Sequence, residues 1–182
     1  MAAIVTKGDQ TLYENYLGFA DLENQVKMDS STVIPMASLT KMFTGQLMLK
    51  LAERGILDSS INKYVPGENI PDSIKVKHVL SHTSQGNVGK NFYYSGRFGW
   101  LTKVVEQEYG APFDEVMDAS IITPHSLANT FLLKDSSQLV GRSFAKRYTF
   151  EGETKPGFVD YGFHQPQELP LPSGISRSLA KS

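Results

Sequence analysis

The sequence predicts a fold of the α+β class, in which a β-hairpin is followed by several helices. Segments rich in aromatic and β-favouring residues come first, and segments with helical spacing of apolar residues follow. The chain has 182 residues, 40% of them hydrophobic and 20% charged, which is typical of a globular domain. We expect a single domain over residues 1–182, with a hairpin and lead-in over 1–37, a helical region over 38–131 and a loop-rich part over 132–182.

The N-terminal segments predict a β-hairpin. Residues 2–5 are apolar, residues 7–10 have the composition of a turn, and residues 11–20 are rich in aromatic and β-favouring side chains. A polar stretch follows. The sequence "TVIPMA" at residues 32–37 then predicts a short extended segment that ends where the next element begins, at Ser38.

The strongest helical pattern extends from Ser38 to Arg54. Apolar residues recur along it with helical spacing, at Met42, Phe43, Leu47, Met48, Leu51 and Ala52. Gly55 followed by Ile56 predicts the end of this helix, because glycine readily adopts the left-handed conformation of a C-cap. Since apolar residues spread around much of the circumference, we expect the helix to be buried between layers.

Shorter helices are expected farther along the chain. Residues 58–66 predict a capped helical turn, and residues 71–86 predict a second helix that ends in a loop containing glycine. Residues 97–110 predict a third helix that Gly110 stops, and Pro112 is the expected first residue of a fourth.

Composition excludes several functional classes. The 18 lysines and arginines balance 19 acidic residues, so no basic field is present to attract nucleic acid or anionic membrane, and we expect no nucleic-acid partner. The chain has no cysteine, which excludes disulfides, a thiolate nucleophile and cysteine-ligated metals. No run of 18 apolar residues and no signal-peptide pattern occur, so we expect no membrane segment in this chain.

The stretch "IPMASLTKMF" places a lysine inside an apolar helical segment. Residues three apart lie on one face of a helix, so Lys41 can direct its amine at the hydroxyl of Ser38. Desolvation disfavours the charged form of an amine, and an amine in apolar surroundings can therefore accept a proton and activate a serine as a nucleophile. The alternative is an N-cap serine beside a lysine that extends to solvent.

The bare pattern Ser-x-x-Lys has little specificity here. It occurs four times, at Ser38–Lys41, Ser60–Lys63, Ser143–Lys146 and Ser178–Lys181. Only the first pair precedes a long apolar helix, and the others lie in polar or turn-like surroundings. Context therefore selects Ser38 and Lys41 as the candidate pair.

Other constellations predict no further chemistry. His78 and His82 have metal-ligand spacing, but no acidic partner completes a zinc motif, so we expect no metal. No G-x-S-x-G elbow and no phosphate-binding glycine loop occur, and we expect no cofactor. Glu106 and Glu108 lie at a spacing that directs them apart, which does not favour a glycosidase-like carboxylate pair.

Several ordered segments carry a family resemblance. They are "GFADLENQVKMDSSTVIPMASLTKMFTGQLMLKLAERGILD", "IKVKHVLSHTSQG", "FYYSGRFGWLTKVVEQEYGAPFDEVM" and "IITPHSLANTF". In this order they resemble the serine β-lactamase and penicillin-binding-protein superfamily, specifically its class C-like branch, which also contains D,D-peptidases and esterases. The resemblance implies a β-lactamase/transpeptidase-like fold, an α/β sandwich that combines an antiparallel sheet with a helical cluster.

The resemblance also implies catalytic residues. Ser38 matches the serine that attacks the acyl carbonyl, and Lys41 matches the lysine of the same motif. The second motif, tyrosine followed two residues later by asparagine, falls on Tyr94, Ser95 and Gly96, and Tyr93 is the alternative if the register shifts by one. The glycine departs from the pattern because it has no side chain to bind a substrate amide, which favours simple esters over amides.

The family's third motif, a lysine or histidine followed by any residue and then glycine, lies downstream of a segment similar to residues 171–182. The resemblance therefore implies a chain truncated at both ends and a fold that is incomplete, with C-terminal strands and one oxyanion-hole donor outside it. The compartment cannot be read from the chain itself, although the resemblance suggests an extracytoplasmic location.

These expectations define a function. We expect a serine hydrolase that acts on a small-molecule ester, peptide or β-lactam through a Ser38 acyl-enzyme, with Tyr94 assisting Lys41. Ser95, Gly96 and His82 are the expected substrate-binding residues. The alternative is a non-catalytic relative that acts as a binding module, with self-association through an exposed sheet edge as a possible property.

Overall fold

The computed structural model describes residues 1–146, 148–150 and 158–160. These residues fall into two compact units. One contains residues 1–35 and the described part of 134–165, and the other contains residues 36–133. The organisation of residues 1–182 as one domain stays a prediction.

The first unit contains the predicted hairpin. Strand β1 (Ala2–Lys7) pairs antiparallel with β2 (Gln10–Tyr16). The two-residue turn between them includes Gly8, whose φ of 56° is the left-handed conformation that such turns require. This confirms the hairpin prediction.

The first unit also contains further short strands and the 3-10 helix Ser136–Leu139. Strand β3 (Phe19–Asp21) pairs antiparallel with β4 (Val26–Lys27), and β5 (Tyr148–Phe150) pairs antiparallel with β6 (Phe158–Asp160). The last two strands lie where the sequence predicts loops. Their pairing joins segments that are individually too short to give a clear period-two pattern.

The second unit is helical. It contains α1 (Lys41–Ala52), α2 (Val76–Leu80), α3 (Leu101–Tyr109) and α4 (Phe113–Met117). Short 3-10 helices and one π-helical turn connect or extend these helices. The 3-10 helices are Ala37–Thr40, Ile56–Asp58, Ile61–Lys63 and Gly96–Trp100, and the π-helical turn is Asp118–Ile122. In the described part of the chain no helix has both the length and the apolar character needed to cross a membrane.

The ends of the helices differ slightly from the prediction. Helix α1 begins at Lys41 because the turn before it, Ala37–Thr40, is a 3-10 helix. Helix α1 ends at Ala52 with Glu53 as its C-cap, and Gly55, which is left-handed with φ of 75°, is the N-cap of the 3-10 helix Ile56–Asp58 instead of the predicted C-cap. Helix α2 is only five residues long, and Pro112 is the N-cap of α4 rather than its first residue, since its ψ of 143° is extended.

The core of the second unit lies between α1, α3 and α4. It is built from fully or nearly fully buried apolar side chains, which include Leu47, Met48, Leu51, Leu101, Val104, Val105, Val116 and Met117. The expectation that α1 is buried between layers is wrong for part of its surface, because Met42 and Leu49 are each 63% exposed. The buried residues of α1 form one stripe at three- and four-residue spacing, so one face of the helix is enough to anchor it.

A buried tyrosine links the turn after the 3-10 helix Ile61–Lys63 to α3. The side chain of Tyr64 is 2% exposed, and its hydroxyl donates a hydrogen bond of 2.7 Å to Oε1 of Glu108. Nζ of Lys63 lies 3.3 Å from the same oxygen. The hydrogen bond from Tyr64 is the main cause that lowers the pKa of the Glu108 carboxyl below its ordinary value.

We expect the Tyr64→Phe variant to lower the free energy of unfolding by about 1–2 kcal/mol at pH 7, because Glu108 loses a donor to its charged form. A group with a lowered pKa in the folded state contributes stability that is lost as pH falls through that pKa. The difference between parent and variant in urea denaturation should therefore shrink towards low pH. Tyr93→Phe is the control, since Tyr93 is 57% exposed, and an equal loss there would contradict the assignment.

Candidate active site

Ser38 lies in the 3-10 turn Ala37–Thr40 that immediately precedes α1, and it is exposed. One hydrogen bond holds this turn, although its first residue has an uncommon backbone conformation. Ala37 has a left-handed φ of 46°, which is uncommon for a residue with a Cβ atom. The side chain of Thr40 is fully buried, and its hydroxyl donates a 2.6 Å hydrogen bond to the carbonyl of Ala37. The turn therefore presents the Ser38 hydroxyl at the start of the helix.

Lys41 is directed at Ser38, as the spacing predicts. Its Nζ lies 3.3 Å from Oγ of Ser38, and the residue is half-buried. The same nitrogen lies 4.9 Å from the ring centroid of Tyr94 and 5.7 Å from that of Phe98. The sequence predicted apolar surroundings for Lys41 from the residues of its own helix. The contacts in the structure come instead from aromatic rings of another segment.

Tyr94 is the second partner of the serine. Its hydroxyl donates a 2.7 Å hydrogen bond to Oγ of Ser38, and the residue is 52% exposed. Hydrogen bonding with Lys41, and next with Ser38, lowers the pKa of the Tyr94 phenol below its ordinary value, while partial burial opposes this. Tyr93, the residue in the alternative register, instead donates its backbone N–H to the carbonyl of His82 at 2.7 Å.

Ser95 and Gly96 follow the tyrosine at the start of a 3-10 helix. Oγ of Ser95 accepts a 3.3 Å hydrogen bond from the backbone N–H of Arg97 and so caps the helix Gly96–Trp100. Gly96 is the first residue of that helix. Their contact with a substrate stays a prediction.

His82 lies beside Tyr94 as part of a group of aromatic rings. Its imidazole stacks on Tyr94, with ring centroids 4.8 Å apart, and on Phe98, with centroids 5.1 Å apart. Its Nδ1 is buried and has no hydrogen-bond partner among the described residues. Burial, and next the charge of Lys41, lower the pKa of this histidine below its ordinary value, so the imidazole is neutral at pH 7.

Sequence reasoning missed the roles of Arg97 and Phe98 around this group. Nη1 of Arg97 donates a 2.6 Å hydrogen bond to the carbonyl of Ser84, and its guanidinium lies over the ring of Trp100 at 5.2 Å. Phe98 is only 4% exposed. The available signal was the density of aromatic residues from 92 to 100, but it does not indicate which rings meet Lys41.

The two histidines with metal-ligand spacing have different partners. Nδ1 of His78 accepts a 3.1 Å hydrogen bond from the backbone N–H of Lys75 at the start of α2. His82 is enclosed by rings. Within the part of the chain that the structure describes, no group of three or more histidine, aspartate or glutamate side chains could hold a metal ion.

The other Ser-x-x-Lys pairs differ from Ser38–Lys41. Lys63 is bound to Glu108 at 3.3 Å, and Lys146 is bound to Asp21 at 3.0 Å, so both amines are held by carboxylates. The pair at residues 178–181 lies outside the described residues. Context in the sequence therefore identified, among the described pairs, the one whose amine is directed at its serine.

Comparison with known proteins agrees with this fold. A model of the Beta-lactamase family matches residues 1–157, which is most of the chain. The octameric penicillin-binding protein homologue from Pyrococcus abyssi is similar to 99% of this chain with a TM-score of 0.79 and 20% identity. A class C beta-lactamase is similar to 99% of the chain with a TM-score of 0.76 and 18% identity.

The β-lactamase/transpeptidase-like α+β fold is thereby confirmed, and the chain belongs to the beta-lactamase family. Penicillin-binding protein 4* of Bacillus subtilis (strain 168) is 28% identical over 83 residues, which cover 44% of this chain and 18% of that protein. This chain spans 50% of the Pyrococcus protein and 57% of the class C enzyme, about half of each.

Proposed function

We propose that this protein is a serine hydrolase that transfers an acyl group through an ester formed on Ser38. The observation that carries the proposal is the convergence of two groups on one hydroxyl: Tyr94 at 2.7 Å and Lys41 at 3.3 Å from Oγ. Both distances are within reach for proton transfer from a nucleophile to a base. Membership of the beta-lactamase family is consistent with this chemistry.

Lys41 and Tyr94 would act together as the base. Lys41 holds the pKa of the Tyr94 phenol low, so the phenolate is available to take the proton of Ser38 at lower pH than an ordinary tyrosine. The Ser38 oxygen then forms a bond to the carbonyl carbon of the substrate. As the bond to the leaving group breaks, Tyr94 returns the proton to the leaving group.

Hydrolysis would complete the cycle by the reverse use of the same groups. A water molecule gives its proton to the Tyr94 phenolate and attacks the acyl carbon, and the Ser38 oxygen leaves with a proton from Tyr94. The backbone N–H of Ser38, in the turn at the head of α1, would donate to the carbonyl oxygen as half of an oxyanion hole.

Gly96 supports esters over amides as substrates. In the resembling family the side chain at this position is an asparagine that binds a substrate amide, and glycine has no such donor. An ester needs only the proton that Tyr94 returns to its alkoxide.

We expect Gly96→Asn to raise turnover of a chromogenic cephalosporin by about 10-fold or more, because it restores a side-chain amide beside Tyr94. Turnover of p-nitrophenyl butyrate should change by less than about 3-fold. Gly99→Asn is the control, since this glycine lies in the same 3-10 helix one turn farther on. Equal gains from both variants would contradict the assignment.

The experiment that tests the proposed function is covalent labelling of the parent protein. A fluorophosphonate probe should react at one site, and mass spectrometry of the peptide that contains Ser38 should place the adduct on its hydroxyl. An adduct on another serine, or no adduct together with no ester turnover, would contradict the proposal.

The second candidate is a non-catalytic binding module. The glycine at position 96 favours it, since the residue expected to bind a substrate amide is missing. Strands β1 and β2 also form a two-stranded sheet with exposed apolar residues at Ile4, Val5 and Leu12, an edge of the kind that pairs with another strand. Equal turnover of p-nitrophenyl acetate by the parent and Lys41→Ala would favour this candidate, and light scattering would detect self-association.

A further inference from the structure

The imidazole of His82 stacks on two aromatic rings at the candidate active site. It lies nearly parallel to Tyr94, at 24°, and nearly parallel to Phe98, at 20°, so both rings stack on the imidazole. The ring of Phe92 closes one edge, with centroids 5.5 Å apart and a tilt of 60°. Since offset or parallel rings at 4.5–7 Å attract one another, this stack fixes the plane of the Tyr94 ring.

The backbone of His82 is constrained at the same point. Its φ of 57° is left-handed, a conformation in which histidine, asparagine and aspartate are enriched among residues other than glycine. Its carbonyl accepts the backbone N–H of Tyr93 at 2.7 Å, and its own N–H donates to the carbonyl of Val79 at 3.1 Å. The residue next to Tyr94 is therefore tied to His82 by the main chain, while the phenol is tied to it by ring stacking.

The positive charge of Lys41 favours a neutral ring at position 82. Nζ of Lys41 lies over both rings that flank His82, at 4.9 Å from Tyr94 and 5.7 Å from Phe98. A second cation in the stack would repel the lysine and weaken its hold on the phenol. The buried, unpartnered Nδ1 shows that the polar part of the ring is not used for a hydrogen bond within the described residues.

We infer that His82 is a positioning residue whose stacked ring and backbone together hold the Tyr94 phenol on the hydroxyl of Ser38. This goes beyond the proposed function and rests on it, because it assigns His82 to the proton acceptor rather than to the substrate. The flat ring of His82, and not its nitrogens, would hold the Tyr94 phenol in place.

Two matched variants separate the ring from the backbone. His82→Phe keeps a flat ring, and His82→Asn removes the ring while keeping a residue that tolerates a left-handed φ. With p-nitrophenyl butyrate we expect kcat to fall about 10-fold or more in His82→Asn and less than about 3-fold in His82→Phe, with KM within about 2-fold in both. His82→Gly replaces the asparagine variant if that variant does not fold.

A second measurement does not depend on turnover. Tyrosine labelled with ¹³C at Cζ reports phenol ionisation by NMR, and the Tyr94→Phe variant assigns the signal. Tyr94 should titrate below pH 10 in the parent and in His82→Phe, and at a higher pH in His82→Asn, because the phenol is no longer held beside Lys41. A fold that is merely loosened would lower the melting temperature without moving this titration.

The two hypotheses fail in different ways. If the parent has no turnover but the Tyr94 titration moves in His82→Asn, the proposed function fails and the positioning role stands. If the parent is active and His82→Asn keeps both its kcat and its Tyr94 titration, the positioning role fails alone. An equal loss of kcat in His82→Phe and His82→Asn would also overturn it, because the ring would then not be what matters.

Discussion

Ser38→Ala is expected to lower turnover of p-nitrophenyl butyrate by about 10³-fold or more, since loss of a nucleophile removes the covalent route altogether. Tyr94 and Lys41 would remain, but the hydroxyl that both contact in the structure would be gone. Labelling by a fluorophosphonate or a fluorescent penicillin should be lost in the same variant. Because Ser38 is exposed, the substitution creates no cavity, and the melting temperature should change little.

The chain offers two matched controls for this experiment. Ser60→Ala and Ser143→Ala change serines of the same Ser-x-x-Lys spacing, whose lysines are held by carboxylates. Both variants should keep labelling and turnover within about 2-fold of the parent. A Ser38→Ala protein that is labelled as strongly as the parent would contradict acyl transfer at this serine, whatever the behaviour of the controls.

The parts of the site that the sequence could predict are those made by local spacing. Ser38 and Lys41 are one helical turn apart, so their meeting follows from the geometry of a single segment. The same holds for Gly110, whose left-handed conformation ends α3 as expected. The family resemblance added Tyr94, which is 56 residues from Ser38 in the chain.

The parts that sequence reasoning did not predict depend on contacts between segments. The spacing of residues within 92–98 does not indicate that the rings of Tyr94 and Phe98 both stack on His82. It also does not indicate that Nζ of Lys41 lies over both rings. The left-handed φ of Ala37 is a further example, because alanine has no local preference for it and only the surrounding turn imposes it. Local propensity gave the elements, whereas packing between them determines the electrostatics of the site.

Lys41→Ala is expected to lower kcat/KM for p-nitrophenyl butyrate by about 10²- to 10³-fold at pH 7, because a general base contributes about 10²- to 10⁴-fold. The phenolate of Tyr94 is the form that accepts a proton, so the rate should rise with pH through the pKa of that phenol. Lys41 is the leading cause that lowers this pKa, and its removal should shift the rising limb of the pH–rate profile to higher pH. The deficit of the variant should accordingly shrink as the pH approaches 10.

Lys63→Ala is the matched control, because Nζ of Lys63 also lies over a tyrosine ring, 4.8 Å from the centroid of Tyr64. Lys63 is far from Ser38 in the chain, and its amine is bound to Glu108. The variant should leave both the rate and the pH limb unchanged. A uniform loss of rate in Lys41→Ala with an unmoved pH limb would show that the lysine acts without tuning Tyr94. The hypothesis that Lys41 lowers the pKa of Tyr94 would then be wrong, even if Ser38 is acylated. A phenol whose pKa is lowered and one whose pKa is ordinary predict pH–rate profiles with different slopes between pH 7 and pH 10.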